Sequence, residues 1–105
     1  MVLATLAAIL LGFGLGCGPN SQPDLAQQHV QTGNQLLAEG KIAAAKTEFE
    51  EAVRLDPRAP EPYYNRGLSL KALGRTEEAR RQFLLALELD PQYKPAMTAL
   101  LSSSR

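Results

Sequence analysis

Beyond residue 25, apolar positions recur every three or four residues, and the same order of apolar and small residues occurs twice. The windows 26–59 and 60–93 can be laid over one another without a gap. The identical positions are Gly33/Gly67, Leu36/Leu70, Ala38/Ala72, Gly40/Gly74, Ala45/Ala79, Phe49/Phe83, Ala52/Ala86, Leu55/Leu89, Asp56/Asp90 and Pro57/Pro91. A fixed period of this length is typical of repeated two-helix units that bury their apolar faces against each other.

The spacing within each window predicts two helices, and a further helix follows the second window. The predicted helices cover residues 25–39, 42–55, 61–73, 77–89 and 95–102. Asp24 and Thr76 are the expected N-caps, because their side-chain oxygens can accept hydrogen bonds from the first amide groups of a helix. Gly40 and Gly74 stand where a left-handed turn would end a helix. The prediction is an all-α fold of two helix–turn–helix units and a C-terminal capping helix.

The first sixteen residues form an apolar stretch of a different kind, without any charged side chain. As a helix they would span roughly 24 Å at about 1.5 Å per residue, which is short of the ~30 Å hydrocarbon core of a bilayer. A short apolar stretch that ends in small residues favours a secretory signal over a permanent anchor. The predicted organisation is a signal peptide (1–16), a lipidated cysteine and flexible linker (17–24), unit 1 (25–59), unit 2 (60–93), and a capping helix with a tail (94–105).

Cys17 is the single cysteine and follows that stretch directly. The run Gly14-Leu15-Gly16-Cys17 resembles a bacterial lipobox, in which a signal peptidase cleaves before a cysteine that carries diacylglycerol. A small residue precedes the cysteine, as in that family, whereas Gly14 holds the usual leucine position and Leu15 comes one position late. We therefore expect Cys17 to be the lipidation site. Ordinary signal-peptide cleavage nearby and an uncleaved cytoplasmic chain are the alternatives.

The net charge of the chain and its few metal-ligating side chains argue against nucleic-acid binding and catalysis. Eleven basic and eleven acidic side chains cancel, and there is no tryptophan. The chain therefore has neither the basic surface nor the aromatic platform expected of a nucleic-acid binder. His29 is the only histidine, and it has no second histidine with which to form a metal site or to activate a nucleophile. We expect no enzymatic activity, no metal and no cofactor.

The segments GNQLLAEGKIAAAKTEFEEAVRLDP and GLSLKALGRTEEARRQFLLALELDP closely resemble tetratricopeptide repeats. The resemblance covers residues 26–101, with the small, aromatic and proline positions in register twice. In this interpretation Gly33 and Gly67 face Ala45 and Ala79 across each hairpin, and the two repeat phenylalanines fill the gap toward the neighbouring unit. Two departures, His29 and Thr32 at usually aromatic and apolar positions, predict a less well buried first helix in unit 1.

The resemblance implies a concave groove, lined by the first helix of each unit, that receives a peptide or a helix of a partner protein. The partner-binding residues carried over to this chain are Asn34, Leu37, Tyr64, Asn65, Leu68 and Lys71. Tyr64 leads this set, since the adjacent Tyr63 is expected to face the core; the alternative is that Tyr64 packs against the next helix. A version of the groove that clamps a C-terminal carboxylate is not expected, because its basic positions are Val30, Pro95 and Ala99 here.

The resulting hypothesis is a small lipid-anchored adapter of the bacterial cell envelope, facing the periplasm or the exterior, that holds another protein in its groove. One alternative is a structural envelope protein that forms homo-oligomers through Met97, Leu100 and Leu101 of the capping helix. The other is a cytoplasmic co-chaperone-like module, which requires residues 1–16 to remain uncleaved.

Overall fold

The computed structural model describes residues 21–103, and this part of the chain is helical throughout apart from its turns. The helices are α1 (Pro23–Ala38), α2 (Ile42–Leu55), α3 (Pro60–Ala72), α4 (Thr76–Leu89) and α5 (Lys94–Ser103). The predicted all-α fold is confirmed. The predicted signal peptide and Cys17 lie outside the described residues.

The helix starts differ from the prediction because proline, and not a side-chain cap, marks two of them. α1 begins at Pro23 and α3 at Pro60, where a missing amide hydrogen costs nothing. Asp24 and Thr76 were predicted as N-caps, and this is wrong: both lie in the first turn of their helices. The capping positions belong to Gln22 and Arg75, which make no side-chain capping hydrogen bond. Pro23 and Asp24, which the sequence placed in the linker, are therefore helical.

The helix ends follow the prediction closely. Gly40 and Gly74 take positive φ values of 78° and 82°, as a left-handed C-terminal cap requires. After α1, the Lys41 amide donates to the carbonyl of Leu36 at 2.8 Å, and the Arg75 amide makes the equivalent bond to Leu70 at 2.9 Å. Each hairpin therefore turns in the same way, which keeps its two helices in one register.

The helices pack in chain order and form two layers. α1 contacts α2, α2 contacts α3, α3 contacts α4, and α4 contacts α5. Short turns make successive helices antiparallel, so α1, α3 and α5 run in one direction and α2 and α4 in the other. A direct contact between α1 and α3 shows that the first helices of the two units form a common layer.

A glycine–phenylalanine contact sets the spacing of each hairpin. A Cβ atom added to Gly33 would lie 2.5 Å from Cε1 of Phe49, and one added to Gly67 would lie 2.5 Å from Cε1 of Phe83. Each phenylalanine ring thus lies on the bare backbone of the glycine in its own hairpin, a contact that the sequence-based prediction did not include. Phe83 also shares a buried cluster with Ala96 and Ala99 of α5.

The cores of the two units differ in how they are covered. In unit 1 the buried apolar side chains are Ala26, Val30, Ala45, Phe49, Ala52 and Leu55. The cluster of unit 2 includes the fully buried Leu70 and Phe83, is extended by Ala96 and Ala99 of α5, and has tyrosines packed against it. At the entrance to the fold the Gln22 amide donates to the Leu55 carbonyl at 2.8 Å, so the start of α1 is fastened to the end of α2.

Candidate partner-binding cleft

An open cleft of about 480 Å³ lies between α3 and α5, on the layer of first helices. Its lining combines apolar, hydroxyl and cationic side chains. The lining residues are Tyr64, Leu68, Lys71, Lys94, Pro95, Thr98, Ala99 and Ser102. Three of the six residues predicted to bind a partner, Tyr64, Leu68 and Lys71, are thus brought together in one concave surface.

Tyr64 is both a wall of the cleft and a part of the core. Its ring lies 5.8 Å from the ring of Phe83 and 5.8 Å from that of Tyr93, the latter in an edge-to-face arrangement. Contacts of this kind hold an aromatic ring in one orientation. The sequence left two alternatives for Tyr64, a groove residue or a residue packed against the next helix. In the structure its side chain both lines the cleft and contacts Phe83 of α4.

Tyr63 is only partly buried, although the sequence had assigned it to the core in place of Tyr64. Its ring packs against the unit 2 cluster, and its hydroxyl donates a hydrogen bond to the Pro57 carbonyl at 3.2 Å. Burial raises the pKa of this phenol, which therefore remains a neutral donor at physiological pH. Tyr63 thus fastens the α2–α3 turn to α3.

The other predicted residues do not join the cleft. Asn65 is only 6% exposed, so its side chain is not presented at the surface as a partner-binding residue must be. Its position one residue after Tyr64 turns it toward the packed side of α3. Asn34 is exposed and Leu37 half-buried on α1, outside the lining of the cleft.

α5 contributes the residues that the sequence-based prediction did not include in the site. The 34-residue period already contained the signal, since it maps Tyr64 onto Thr98 and Leu68 onto Ser102. Because α5 follows the second unit as α3 follows the first, its residues take the groove positions of a third first-helix. Lys94, the first residue of α5, enters the cleft for the same reason.

The electrostatics of the cleft differ from one end to the other. Beside the start of α5, burial raises the pKa of Tyr93 to about 12, and the negative charges of Glu61 and Asp90 act in the same direction. Both lining lysines are exposed, and within residues 21–103 neither has a carboxylate partner. The lining itself contains these two lysines and no acidic side chain.

Ion pairs and hydrogen bonds link the first-helix layer to the layer of α2 and α4. Glu50 accepts from Lys46 at 3.2 Å and from Nη2 of Arg66 at 3.0 Å. The other terminal nitrogen of Arg66 reaches Gln82 at 3.5 Å, so this side chain bridges α2 and α4. His29 pairs with Glu48 at 2.6 Å between α1 and α2. These groups hold neighbouring helices together.

Within residues 21–103, no three histidine, cysteine, aspartate or glutamate side chains are grouped as a metal site would require. In the same range no helix is long and apolar enough to cross a bilayer.

Comparison with known proteins places the repeats in one family. The sequence profile described as "TPR repeat" matches residues 33–74, and that described as "Tetratricopeptide repeat" matches residues 60–93. Together the two matches cover more than half of the chain. The match of the second profile begins and ends at the limits of the second repeat window.

Two curated relatives illustrate where such repeats occur. A "Tetratricopeptide repeat and J domain-containing co-chaperone" of Cryptococcus neoformans is 38% identical over 71 residues, which is 68% of this chain and 14% of that protein. The "Cellulose synthase operon protein C" of Komagataeibacter xylinus is 33% identical over 89 residues, which is 81% of this chain and 7% of that protein. The chain thus spans less than a fifth of the length of either relative.

Among solved structures, the tetratricopeptide domain of Sgt2 from Aspergillus fumigatus superimposes with a TM-score of 0.71 at 26% identity. The superposition covers 76% of this chain and 52% of that one. The two-layer arrangement of antiparallel helices is therefore shared with an experimentally determined repeat domain.

Proposed function

The chain belongs to the tetratricopeptide repeat family, and on that premise we propose that it is a non-enzymatic adapter of the bacterial cell envelope. It binds a segment of a partner protein in the cleft between α3 and α5. The single observation that carries the proposal is the cleft itself, where Tyr64, Leu68 and Lys71 meet the groove-facing residues of α5. Apolar side chains flanked by hydroxyl and cationic groups suit a partly apolar peptide segment.

The adapter is anchored through a lipid on Cys17. The apolar, uncharged residues 1–16 and the small residue before the cysteine support this part of the proposal. Lipid chains contribute about 0.8 kcal/mol per buried CH₂, and stable anchoring takes more than one chain. The protein would then face the periplasm or the exterior.

The cleft is tested by filling it without changing its charge. Thr98 and Ser102 lie one helical turn apart on α5 and are exposed, so a Thr98→Trp/Ser102→Trp variant adds two aromatic rings to the cleft and leaves the core intact. Ala43 and Thr47 have the same spacing and exposure on α2. An Ala43→Trp/Thr47→Trp variant is therefore the matched control. A Tyr64→Ala change is unsuitable, because it would also remove the contact with Phe83.

The readout is affinity capture from detergent-solubilised envelopes with the native chain and both variants. We expect an envelope protein that the native chain and the α2 variant retain and the α5 variant loses. If all three versions capture the same proteins, the cleft is not a binding site and the adapter function fails.

The anchor is tested by the intact mass of the protein isolated from envelopes. We expect a chain that begins at Cys17 and carries the mass of the attached acyl groups, and a Cys17→Ser variant that is released from the membrane. An unprocessed chain would overturn the anchor and favour the cytoplasmic co-chaperone-like alternative.

A second candidate function is self-assembly through α5, and the exposure of Leu101 favours it. Leu101 is 72% exposed, more than any other large apolar side chain of residues 21–103, and such a residue can bury apolar area when a second copy covers it. A Leu101→Glu variant is expected to fold normally. If light scattering shows the same mass for this variant and the native chain, self-assembly through this side chain is excluded.

A further inference from the structure

We propose that the cleft binds an extended acidic segment, in which two carboxylates about five residues apart pair with Lys94 and Lys71 and flank a short apolar stretch. This inference rests on the proposed adapter function and specifies the chemistry of its partner. It is carried by the charge of the lining, the spacing of the two lysines and the character of the surface between them.

Four cationic side chains of residues 21–103 lack a carboxylate within 4.0 Å, whereas six others have one. Of the four, Lys71 and Lys94 line the cleft, and Arg58 and Arg81 do not. No acidic side chain is among the lining residues, and the negative charges of Glu61 and Asp90 act on Tyr93 beside the Lys94 end. Two cations without a carboxylate partner in a concave surface attract a negatively charged segment and oppose a basic one.

The repeat sets the spacing of the two lysines along the cleft. α3 and α5 run in the same direction, and the 34-residue period maps Lys94, the first residue of α5, onto Pro60, the first residue of α3. Lys71 lies eleven residues after Pro60, which corresponds to roughly 16 Å along the helix direction at about 1.5 Å per residue. An extended chain covers about 3.3 Å per residue. Two carboxylates roughly five residues apart would therefore reach both lysines.

The surface between the lysines determines what lies between the carboxylates. Leu68, Pro95 and Ala99 give this part of the cleft an apolar floor, and Tyr64 stands at its wall. The exposed hydroxyl of Thr98 can accept from or donate to the backbone of an extended segment. Small or medium apolar side chains fit there. Since the lysines stand at opposite ends, the ligand needs no free terminal carboxylate.

The test uses synthetic peptides with both termini blocked and the full-length protein in detergent micelles. The probe is a fluorescein-labelled peptide with two glutamates five positions apart and leucine, alanine and proline between them. A glutamine version removes the charges, and a version of the same composition with the glutamates two positions apart removes the spacing. Fluorescence anisotropy gives the dissociation constant of each peptide at low and at high salt.

We expect the five-spaced glutamate peptide to bind several-fold more tightly per carboxylate than the glutamine peptide, with the difference shrinking at high salt. The peptide with glutamates two positions apart can reach only one lysine at a time. Its gain in binding free energy over the glutamine peptide should therefore be at most half as large. A Lys71→Gln/Lys94→Gln variant should bind the glutamate and glutamine peptides equally. An Arg58→Gln/Arg81→Gln variant changes the net charge by the same amount at exposed positions outside the cleft and should retain the preference.

The proposal is overturned if the native chain binds the glutamate and glutamine peptides equally or binds neither. It is also overturned if the arginine variant loses the preference as completely as the lysine variant. A failure of this kind is separate from a failure of the adapter function. An envelope partner that is retained by the lysine variant but lost by the Thr98→Trp/Ser102→Trp variant would leave the adapter intact and remove the acidic ligand.

Discussion

At the scale of single residues, the close approach of the two helices in each hairpin depends on a missing side chain. The ring of Phe83 occupies the place that a Cβ of Gly67 would need. The sequence identified this glycine as a contact position from its recurrence at Gly33. It could not identify the phenylalanine as the contacting partner, because periodicity shows which face a residue shares and not how far its side chain reaches.

A Gly67→Ala substitution should therefore destabilise the protein, although alanine is the better helix former by about 1 kcal/mol. The added methyl group would overlap the Phe83 ring, and overpacking of this kind costs about 1–3 kcal/mol. Urea unfolding measures the change. A Gly67→Ala/Phe83→Leu double variant, with a smaller side chain opposite the methyl group, should lose less stability than the two single changes together. Native stability in Gly67→Ala would contradict the packing described.

The buried phenol of Tyr93 makes stability sensitive to alkaline pH. Its pKa is raised to about 12 in the folded protein by burial and by the charge of Glu61, whereas a phenol in an unfolded chain ionises near pH 10. The contribution is fully present below about pH 10 and is lost as the pH rises toward 12, since only the unfolded chain then releases its proton. Between these values the free energy of unfolding should fall with pH.

A Tyr93→Phe variant should show a shallower fall in urea-unfolding stability between pH 9 and pH 11.5 than the native chain. Glu61→Gln provides a milder version of the test, because it removes the second cause of the raised pKa of Tyr93. In this variant the last phenol ionisation, followed by ultraviolet absorbance, should move to lower pH. An unchanged pH dependence in Tyr93→Phe would show that this phenol ionises equally in both states.

At the scale of helices, the sequence predicted the elements well and their side-to-side contacts poorly. The bounds of α2 were predicted to the residue, because Gly40 and the Asp56-Pro57 pair are strong local signals. The groove was predicted from α1 and α3, the first helices of the two units. α5 was interpreted as a cap, and only the packed structure shows that its residues line the cleft. Contacts between helices depend on distances that no local signal encodes.

The junction between α2 and α3 differs chemically from the next junction of the same kind. Glu50 and Arg66 form an ion pair at the first junction, and the 34-residue period places Leu84 and Leu100 at the equivalent positions of α4 and α5. Nε of Arg66 is buried without a hydrogen-bond partner. The ion pair is therefore an imperfect solution at a position where the fold accepts two leucines.

A Glu50→Leu/Arg66→Leu variant should be at least as stable as the native chain, because partly buried ion pairs often contribute less than well-packed apolar side chains. Glu50→Leu alone should cost about 1 kcal/mol, since it leaves Arg66 and Lys46 without their carboxylate. Chemical denaturation of the three variants measures both effects. A double variant less stable than either single variant would show that the charges are required at this junction.

At the scale of the whole molecule, the unequal covering of the two cores predicts unequal local stability. Unit 1 buries Val30, Phe49 and Leu55 as its large apolar side chains, and unit 2 buries Leu70 and Phe83. The core of unit 2 is extended by buried residues of α5. In repeat proteins stability is approximately a sum over units and their interfaces. Unit 1, with one neighbour in the described range where unit 2 has two, should open first.

Amide hydrogen exchange should therefore be faster in α1 and α2 than in α3 and α4. A Val30→Ala variant is expected to accelerate exchange in α1 and α2 and to leave α4 almost unchanged. Leu70→Ala should lower the free energy of unfolding by about 2–5 kcal/mol. It should accelerate exchange in all helices, because α3, which carries Leu70, packs against both α2 and α4. Slowest exchange in α1 would contradict the expectation that the unit with one neighbour opens first.

The hydrogen bond from Gln22 to Leu55 has a geometric consequence once Cys17 carries a lipid as proposed. Five peptide units separate the cysteine from Gln22, and they can extend to at most about 17 Å. This short linker keeps the edge where α1, α3 and α5 begin close to the bilayer. The turns at Gly40 and Gly74 then lie on the side away from the membrane. Lys94 then stands on the membrane-proximal side and Lys71 on the distal side. A partner segment bound to both lysines would therefore run roughly perpendicular to the membrane plane.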